Sequence, residues 1–271
     1  MEIYTLKELQ EKELQILIDF DRFCNQHDLR YYLIGGALLG AARYQEFIPW
    51  DDDVDVAMPR DDYERLKEVF VSDRYFLQND SSDPVFSRCI QKIRLNDTVI
   101  AEKNCIGLNI HQGIYIDVFP IDYVSSCCHK TLNRRAALIR RLMSLRMIKG
   151  GYKSDRHTFV KKAIRYLLPC SINYIDRTLF RLCTMENNGD CRYAILWLHN
   201  YPWYKQIHSL DVFGDGGKCQ FCGCDFSAPA DTDAFLRRVF GKDYMEEPPL
   251  EKQQCPHNYI NIKTVDLDGV Q

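Results

Sequence analysis

Thr5 and Glu8 stand three residues apart just ahead of apolar positions at Leu14, Leu17 and Ile18, which predicts a capped amphipathic helix running to about His27. Tyr31 to Ile34 reads as a short strand that breaks at Gly35-Gly36, and Ala37 to Ala42 as helix. Val54 to Met58 has the alternation of a strand, and Asp61 with Glu64 predicts the cap of a helix from about Asp62 to Val71. Further strands are expected at Phe86 to Arg94 and at Gly113 to Phe119, the second stopped by Pro120. The stretch 125–186 has helical spacing, interrupted at Gly150-Gly151 and Pro169. Tyr193 to Phe226 is more extended, with turns at Pro202 and Gly214 to Gly217. Asp231 caps a last helix, and Gly241 ends it. The pattern predicts an α+β fold: a mixed sheet with flanking helices in residues 1–123, and a helical, partly β portion over 124–271 packed on it as one compact unit.

Composition narrows the class. In 271 residues, 46% hydrophobic and 27% charged positions suit a globular core and exclude disordered, collagenous and coiled-coil chains. The longest nearly apolar run, Tyr31 to Ala42, has 12 residues and is too short for a membrane span, and Met1 to Leu17 is too charged for a signal peptide. A cytoplasmic protein with reduced thiols is expected, despite 12 scattered cysteines. The formal charge of −3 hides an asymmetry: residues 130–166 hold twelve Lys/Arg against Asp155 alone. Subtracting that +11 from −3 leaves −14 on the remainder.

The chemistry lies in the acids. If 51–56 is extended, Asp51, Asp53 and Asp55 share one face while Val54 and Val56 face the core. Carboxylates so crowded repel, and cations or donors must neutralise them. In the strand Gly113 to Phe119, Asp117 is an acid set among apolar residues, and it needs a partner or a metal for the same reason. Asp53, Asp55 and Asp117 together make a site for two magnesium ions, or manganese, one activating an attacking hydroxyl and one steadying a leaving phosphate. A strand that enters Gly35-Gly36 and then a helix presents backbone N–H groups to a phosphate, and Arg43 could add a bidentate contact.

These residues carry a resemblance. The stretches GGALLGAARYQEFIPWDDDVDVAMPRDDYERL, GIYIDVFPID and FLRRVFGKDYMEEPPLEKQ resemble the LicD family of the nucleotidyltransferase-fold superfamily, related to the fukutins. The likeness covers most of the chain, and Tyr193 to Asp225 departs from it most. It implies a nucleotidyltransferase-like core and transfer of a phosphoalcohol, typically phosphocholine from CDP-choline, onto a glycan hydroxyl with release of CMP. By the same likeness Asp53 and Asp55 match the paired metal ligands, Asp117 the third carboxylate, and Gly35, Gly36 and Arg43 the phosphate turn. Asp51 matches the first acid of the run, as a ligand, a substrate contact or a support. Asp117 or Asp53 would receive the hydroxyl proton. Trp50 and Tyr115 are the first candidates to enclose a choline ammonium. His257 follows a matching segment and is a candidate substrate contact.

Each feature has a competing reading. Asp53-Val-Asp55-Val also fits a haloacid-dehalogenase phosphatase, but Pro49-Trp-Asp-Asp in front would put charges where that fold has a buried strand. Cys219, Cys222 and Cys224 suggest zinc, although on one strand Cys219 would face away from the other two, and a plain hairpin suits the alternating Phe221 and Phe226. Lys92 and Arg94 share a strand face and would meet the diphosphate or form a solvated surface. His27 and His199 read as ordinary structural residues. The basic stretch 130–166, with Leu138, Leu142, Leu145 and Ile148 at amphipathic spacing, reads as a solvated helix face or as a peripheral seat on the anionic inner surface of the membrane, where a lipid-linked glycan would be presented. It lacks the interleaved aromatics of a nucleic-acid binder. Two other functions stay in view: transfer of NMP from an NTP, and a non-catalytic glycan- or membrane-binding module.

Overall fold

The computed structural model describes residues 4–100, 102–105, 107–152, 169–255, 257, 259, 262 and 263. Strand β1 (Tyr4–Thr5) leads into α1 (Leu6–Gln26). The cap is the predicted box: Glu8 N donates to Thr5 Oγ1 at 3.2 Å, and Thr5 N donates to Glu8 Oε2 at 2.7 Å. Strand β2 (Tyr32–Ile34) turns directly into α2 (Gly35–Tyr44), which begins earlier than expected because Gly35 itself makes the turn at φ +60. Strand β3 (Asp55–Pro59) runs straight into α3 (Arg60–Val69), so the expected Asp61–Glu64 cap is not used. Asp62 accepts instead from Arg30 Nε at 2.8 Å.

Strand β4 (Tyr75–Gln78) was not legible in the pattern, since four residues between Asp73-Arg74 and Asn79-Asp80 carry too little periodicity. Strand β5 (Gln91–Leu95) is shorter than predicted, because turns occupy the residues before it. Strand β6 (Tyr115–Val124) crosses Pro120 rather than ending there. Asp117 N donates to Val54 O, so by alternation the nitrogen at 120 faces away from β3. On that side β5 pairs only as far as Val118, and the next strand begins pairing at Asp122, so Pro120 sits where no N–H is needed.

Then follow α4 (His129–Gly150), α5 (Ile172–Thr184), β7 (Tyr193–Ile195), β8 (Ile207–Ser209), α6 (Leu210–Phe213), β9 (Gly217–Phe221), β10 (Cys224–Ala228), α7 (Thr232–Phe240) and β11 (Ile262–Lys263). The main sheet has the order β2-β3-β6-β5-β4. Only β3 and β6 are parallel in it, and β7 then β8 extend it from the far end of β6. The strand that carries Asp117 therefore reaches into the C-terminal portion of the chain. One face of the sheet is apolar, with Val56, Met58, Ile116 and Val118 buried beneath Tyr63 and Leu66 of α3. The short β1–β11 ladder returns the chain end to the start of α1.

The hairpin β9–β10 corrects one expectation. Cys222 (φ 51) and Gly223 (φ 77) form its two-residue turn, so Cys219, Phe221, Cys224 and Phe226 all share the face packed on the core. Among the described residues none of these cysteines joins a group of three metal-capable side chains.

The basic segment is also only partly a solvated face. Arg135 turns inward and donates to Leu182 O, Cys183 O and Glu186 Oε1, and Arg146 donates to Asp176 Oδ1 and Ser87 Oγ, which fixes α4 antiparallel to α5. Residues 153–166 of that segment lie outside the described residues.

Arg60 clamps the apolar face, donating to Asp122 Oδ1 at 2.8 Å and Oδ2 at 2.7 Å. Asp122 is fully buried, so Arg60→Leu should cost about 3–5 kcal/mol by leaving that charge without its partner, and adding Asp122→Leu should restore much of the loss. Urea denaturation followed by circular dichroism checks this; a loss under about 1 kcal/mol would mean the pair is not a structural clamp.

Candidate active site

Strand register puts the chemistry on the other face of the sheet. Asp55 lies directly opposite Asp117 across the parallel β3–β6 pair, and Asp117 lies opposite Lys92 across β6–β5. Residues directly opposite point to the same side, so two acids and an amine form one row. Asp55 and Asp117 keep only 13% and 14% of their side-chain surface. Lys92 Nζ lies 2.5 Å from Asp117 Oδ1 and 3.2 Å above the ring of Tyr115.

Asp51 to Asp53 arrive by a different route from the one predicted: β3 begins only at Asp55, so they lie in the loop before it rather than on an extended strand. Two glycines make room for the acids. A Cβ on Gly35 would stand 2.7 Å from Asp55 Oδ2, and one on Gly36 would stand 2.0 Å from Asp51 Oδ2. The glycine turn therefore holds carboxylates against the start of α2.

Behind this row is a clamp that sequence reasoning missed. Asp52 is wholly buried and accepts from Cys255 Sγ at 2.6 Å and from His257 N at 3.2 Å, while His257 Nδ1 lies 2.8 Å from its Oδ1. His257 Nε2 then lies 3.7 Å from Asp53 Oδ2. Asp52, Asp53 and His257 bring one ligand atom each within 4.8 Å of one another. Asp52 is nevertheless saturated by donors, which fits a clamp on the 255–257 segment better than a ligand set. Tyr259 closes the same segment onto the sheet, its hydroxyl 2.8 Å from that of Tyr115.

Further groups face the acids. His199, expected to be merely structural, places Nε2 3.6 Å from Asp55 Oδ2. Glu13 of α1 is 1% exposed, and its Oε2 has no hydrogen-bond partner. Its signal was in the sequence, since Leu9, Glu13, Ile16 and Phe20 lie on one helical stripe. Arg88 and Glu102 pair at 2.5 Å next to Lys92 and Arg94.

The electrostatics follow from burial and crowding. Burial lifts the Asp53 carboxyl well above the ordinary range, and Asp55, Asp51, Asp52 and Asp117 add to the shift. Burial, then Asp52 and Asp55, raise Asp51 to about 7. Asp117 is raised by burial and by Asp55, with Lys92 opposing. Glu13 is raised by burial and by the four aspartates 53, 52, 51 and 117. Burial pulls the Lys92 amine down despite Asp117. It also works against ionising Glu102, but Lys92, Arg88 and Arg94 overwhelm it and bring that carboxyl to about 2. His257 is discouraged from charging by burial, yet the hydrogen bond and charge of Asp52 raise it.

Other predicted contacts are placed elsewhere. Arg43 spends its guanidinium on the backbone, donating to Tyr244 O and Glu246 O at 2.6 Å each, so it holds the loop after α7 rather than facing the acids. Lys92 and Arg94 are buried, not a solvated face. Arg94 donates to Gln78 Oε1 and Gly113 O and lies over the Tyr115 ring. That ring already carries two cations and is not open to a choline head. Trp50 is half-buried, packed against the core. Tyr201, which sequence reasoning missed, stacks on His199, and burial followed by Asp55, Asp51 and Asp53 raises its hydroxyl.

A mixed sheet carrying a strand–glycine–helix turn, with acids facing each other across its parallel pair, defines a nucleotidyltransferase-type domain. Within that class, residues 28–135 match the LicD/FKTN/FKRP nucleotidyltransferase domain. The chain is similar over 95% of its length to the lipopolysaccharide cholinephosphotransferase LicD of Haemophilus influenzae, with 26% identity over 264 residues and 97% of that protein covered. Shorter likenesses link it to uncharacterized proteins of two Rickettsia species. The one from R. typhi is 30% identical over 129 residues, 44% of this chain and 38% of that protein. The one from R. prowazekii is 33% identical over 55 residues, 20% of this chain and 21% of that protein.

The raised carboxyls set a pH dependence. Each binds its proton more tightly folded than unfolded, where about 3.9 applies, so the stability these groups lend to the fold falls as pH rises from about 4 to about 7. In chelator-treated protein the thermal midpoint should drop over that range, and Asp51→Asn should flatten the drop. Scanning calorimetry in a pH series checks this, and a midpoint that climbs toward neutrality would contradict it.

Proposed function

We propose that the protein transfers a phosphoalcohol, phosphocholine first among them, from a CDP-alcohol to a hydroxyl of a cell-surface glycan or its lipid-linked precursor, with release of CMP. The observation that carries this reading is the register that sets Asp55 against Asp117, beside Lys92, in a chain similar along nearly its whole length to a cholinephosphotransferase. The acceptor oxygen bonds to the phosphorus that bears the alcohol. The bond from that phosphorus to the bridging oxygen breaks, and CMP leaves with the electron pair. The hydroxyl proton passes to a carboxylate of the row, Asp53 or Asp117, both of which hold protons more tightly than ordinary carboxylates.

The donor chemistry suits magnesium or manganese: Asp53, Asp55 and Asp117 offer carboxylate oxygens whose charges oppose one another, and Glu13 Oε2 and His199 Nε2 are left without hydrogen bonds. The three aspartates do not bring ligand atoms within 4.8 Å of one another, so an ion would have to draw them closer. Such an ion would neutralise the diphosphate and polarise the hydroxyl. The chain's own contribution is positioning. Lys92 anchors Asp117, the Gly35-Gly36 turn seats Asp55 and Asp51, and Asp52 with His257 fixes the wall beside Asp53. Tyr201 and Trp50 are the surfaces for a quaternary ammonium.

No described helix is long and apolar enough to cross a membrane. Exposed Lys130, Arg134, Arg141, Arg177 and Arg181, with exposed Leu138 and Tyr174, make α4 and α5 the seat for an anionic membrane surface that presents the acceptor.

Incubation with a panel of CDP-alcohols and magnesium, followed by chromatography of nucleotides, should give CMP, fastest with CDP-choline. Chelation should stop it, and Asp55→Asn should slow it by about 100-fold or more. Pyrophosphate released from CTP or ATP, with no CMP from any CDP-alcohol, would replace this reading with NMP transfer.

A further inference from the structure

We propose that His199 is a positioning residue for Asp55, holding one carboxylate oxygen through a ring proton kept on Nε2. The inference rests on the reading of Asp55 as an ion ligand given above. The imidazole is only 6% exposed and lies between two rings, tilted against Phe119 at 4.8 Å and stacked on Tyr201 at 5.2 Å and 9°. Rings on both sides confine it. The backbone N–H of Tyr201 donates to Nδ1 at 3.3 Å, so that nitrogen supplies its lone pair and the ring proton sits on Nε2.

That Nε2 is buried and makes no hydrogen bond, and Asp55 Oδ2 lies 3.6 Å from it. Oδ2 is also the oxygen against Gly35, where a Cβ would stand 2.7 Å away. One oxygen of Asp55 is thus boxed between the α2 turn and a fixed donor, and the orientation of the other oxygen follows. A slight turn of the carboxylate closes the remaining gap. Hydrogen-bonded partners of ligating carboxylates work in this way, fixing direction rather than supplying a ligand.

His257 provides the contrast within the same site. Its Nδ1 faces the Asp52 carboxylate, an acceptor, and therefore carries the proton, the reverse of the arrangement at His199. The two imidazoles approach adjacent acids, Asp53 and Asp55, with opposite proton placements fixed by what lies behind each ring.

Three substitutions test this. Glutamine sets an amide N–H near the place of Nε2, asparagine sets one near Nδ1, and phenylalanine keeps the ring without donors. Calorimetric titration with Mg2+ or Mn2+ should show His199→Phe and His199→Asn weakened about tenfold, and His199→Gln within about threefold of wild type, with kcat following the same order. Thermal midpoints should not follow that order. In parallel, 15N spectra of histidine-labelled protein should place the His199 proton on Nε2. Equal losses for Gln and Phe at equal stability, or a proton on Nδ1, would overturn the proposal. If wild-type protein binds neither ion, the ligand reading of Asp55 fails on its own, and the nitrogen spectrum still decides the tautomer of His199.

Discussion

Two carboxylates held side by side in a nearly buried sheet are the constraint to which the rest of the site answers. Like charges 4 Å apart in surroundings with an effective dielectric of 20 repel by about 4 kcal/mol, and strand register sets the two side chains out from neighbouring points of one face. Asp55 and Asp117 are locked in that relation by register. Each neighbour of the pair can be understood as a response. Lys92 is buried against Asp117, and Gly35 lets the α2 turn approach Asp55. Glu13 and Asp53 hold protons more tightly because burial disfavours their charged forms and the neighbouring acids add to the same field. A fold seeking only stability would put apolar residues here; the crowding is sensible if a divalent cation supplies the missing positive charge.

How far the sequence reveals this depends on the range of the interaction. The capping box at Thr5 and Glu8 is local and reads directly from spacing, as do the Asp231 cap and the glycine turn. Asp53, Asp55 and Asp117 stand out because acids among alternating valines and isoleucines are rare for energetic reasons, whatever the fold. The partners of Arg43 do not stand out. Whether that guanidinium meets a phosphate or a carbonyl is decided by Tyr244, 201 positions away. Pro120 misleads in a similar way: proline ends a strand only where its missing N–H was required, and the gap between β5 and β7 exists only in the assembled sheet.

The largest omission concerns the C-terminal half of the chain. Asp52 looked like one more acid of a run, and its meaning comes from Cys255 and His257, about two hundred residues later. No local rule names the donors that meet it. The β1–β11 ladder brings those donors back, and Tyr259 pins the returning segment to Tyr115. The nucleotidyltransferase-type half thus supplies the acids, and much of what orients them comes from segments outside residues 28–135.

This division of labour has a consequence for how such a domain can diverge. The acid row is tied to strand register and cannot shift without moving the sheet, since slipping a strand by one residue would turn Asp55 or Asp117 to the opposite, apolar face. The orienting groups are tied to nothing so rigid. His199 comes from a loop between β7 and β8, and His257 from a segment beyond the last helix. Loops of this kind tolerate change in length and sequence, so substrate preference and the setting of each carboxylate can be altered there while the register that makes the chemistry possible stays fixed.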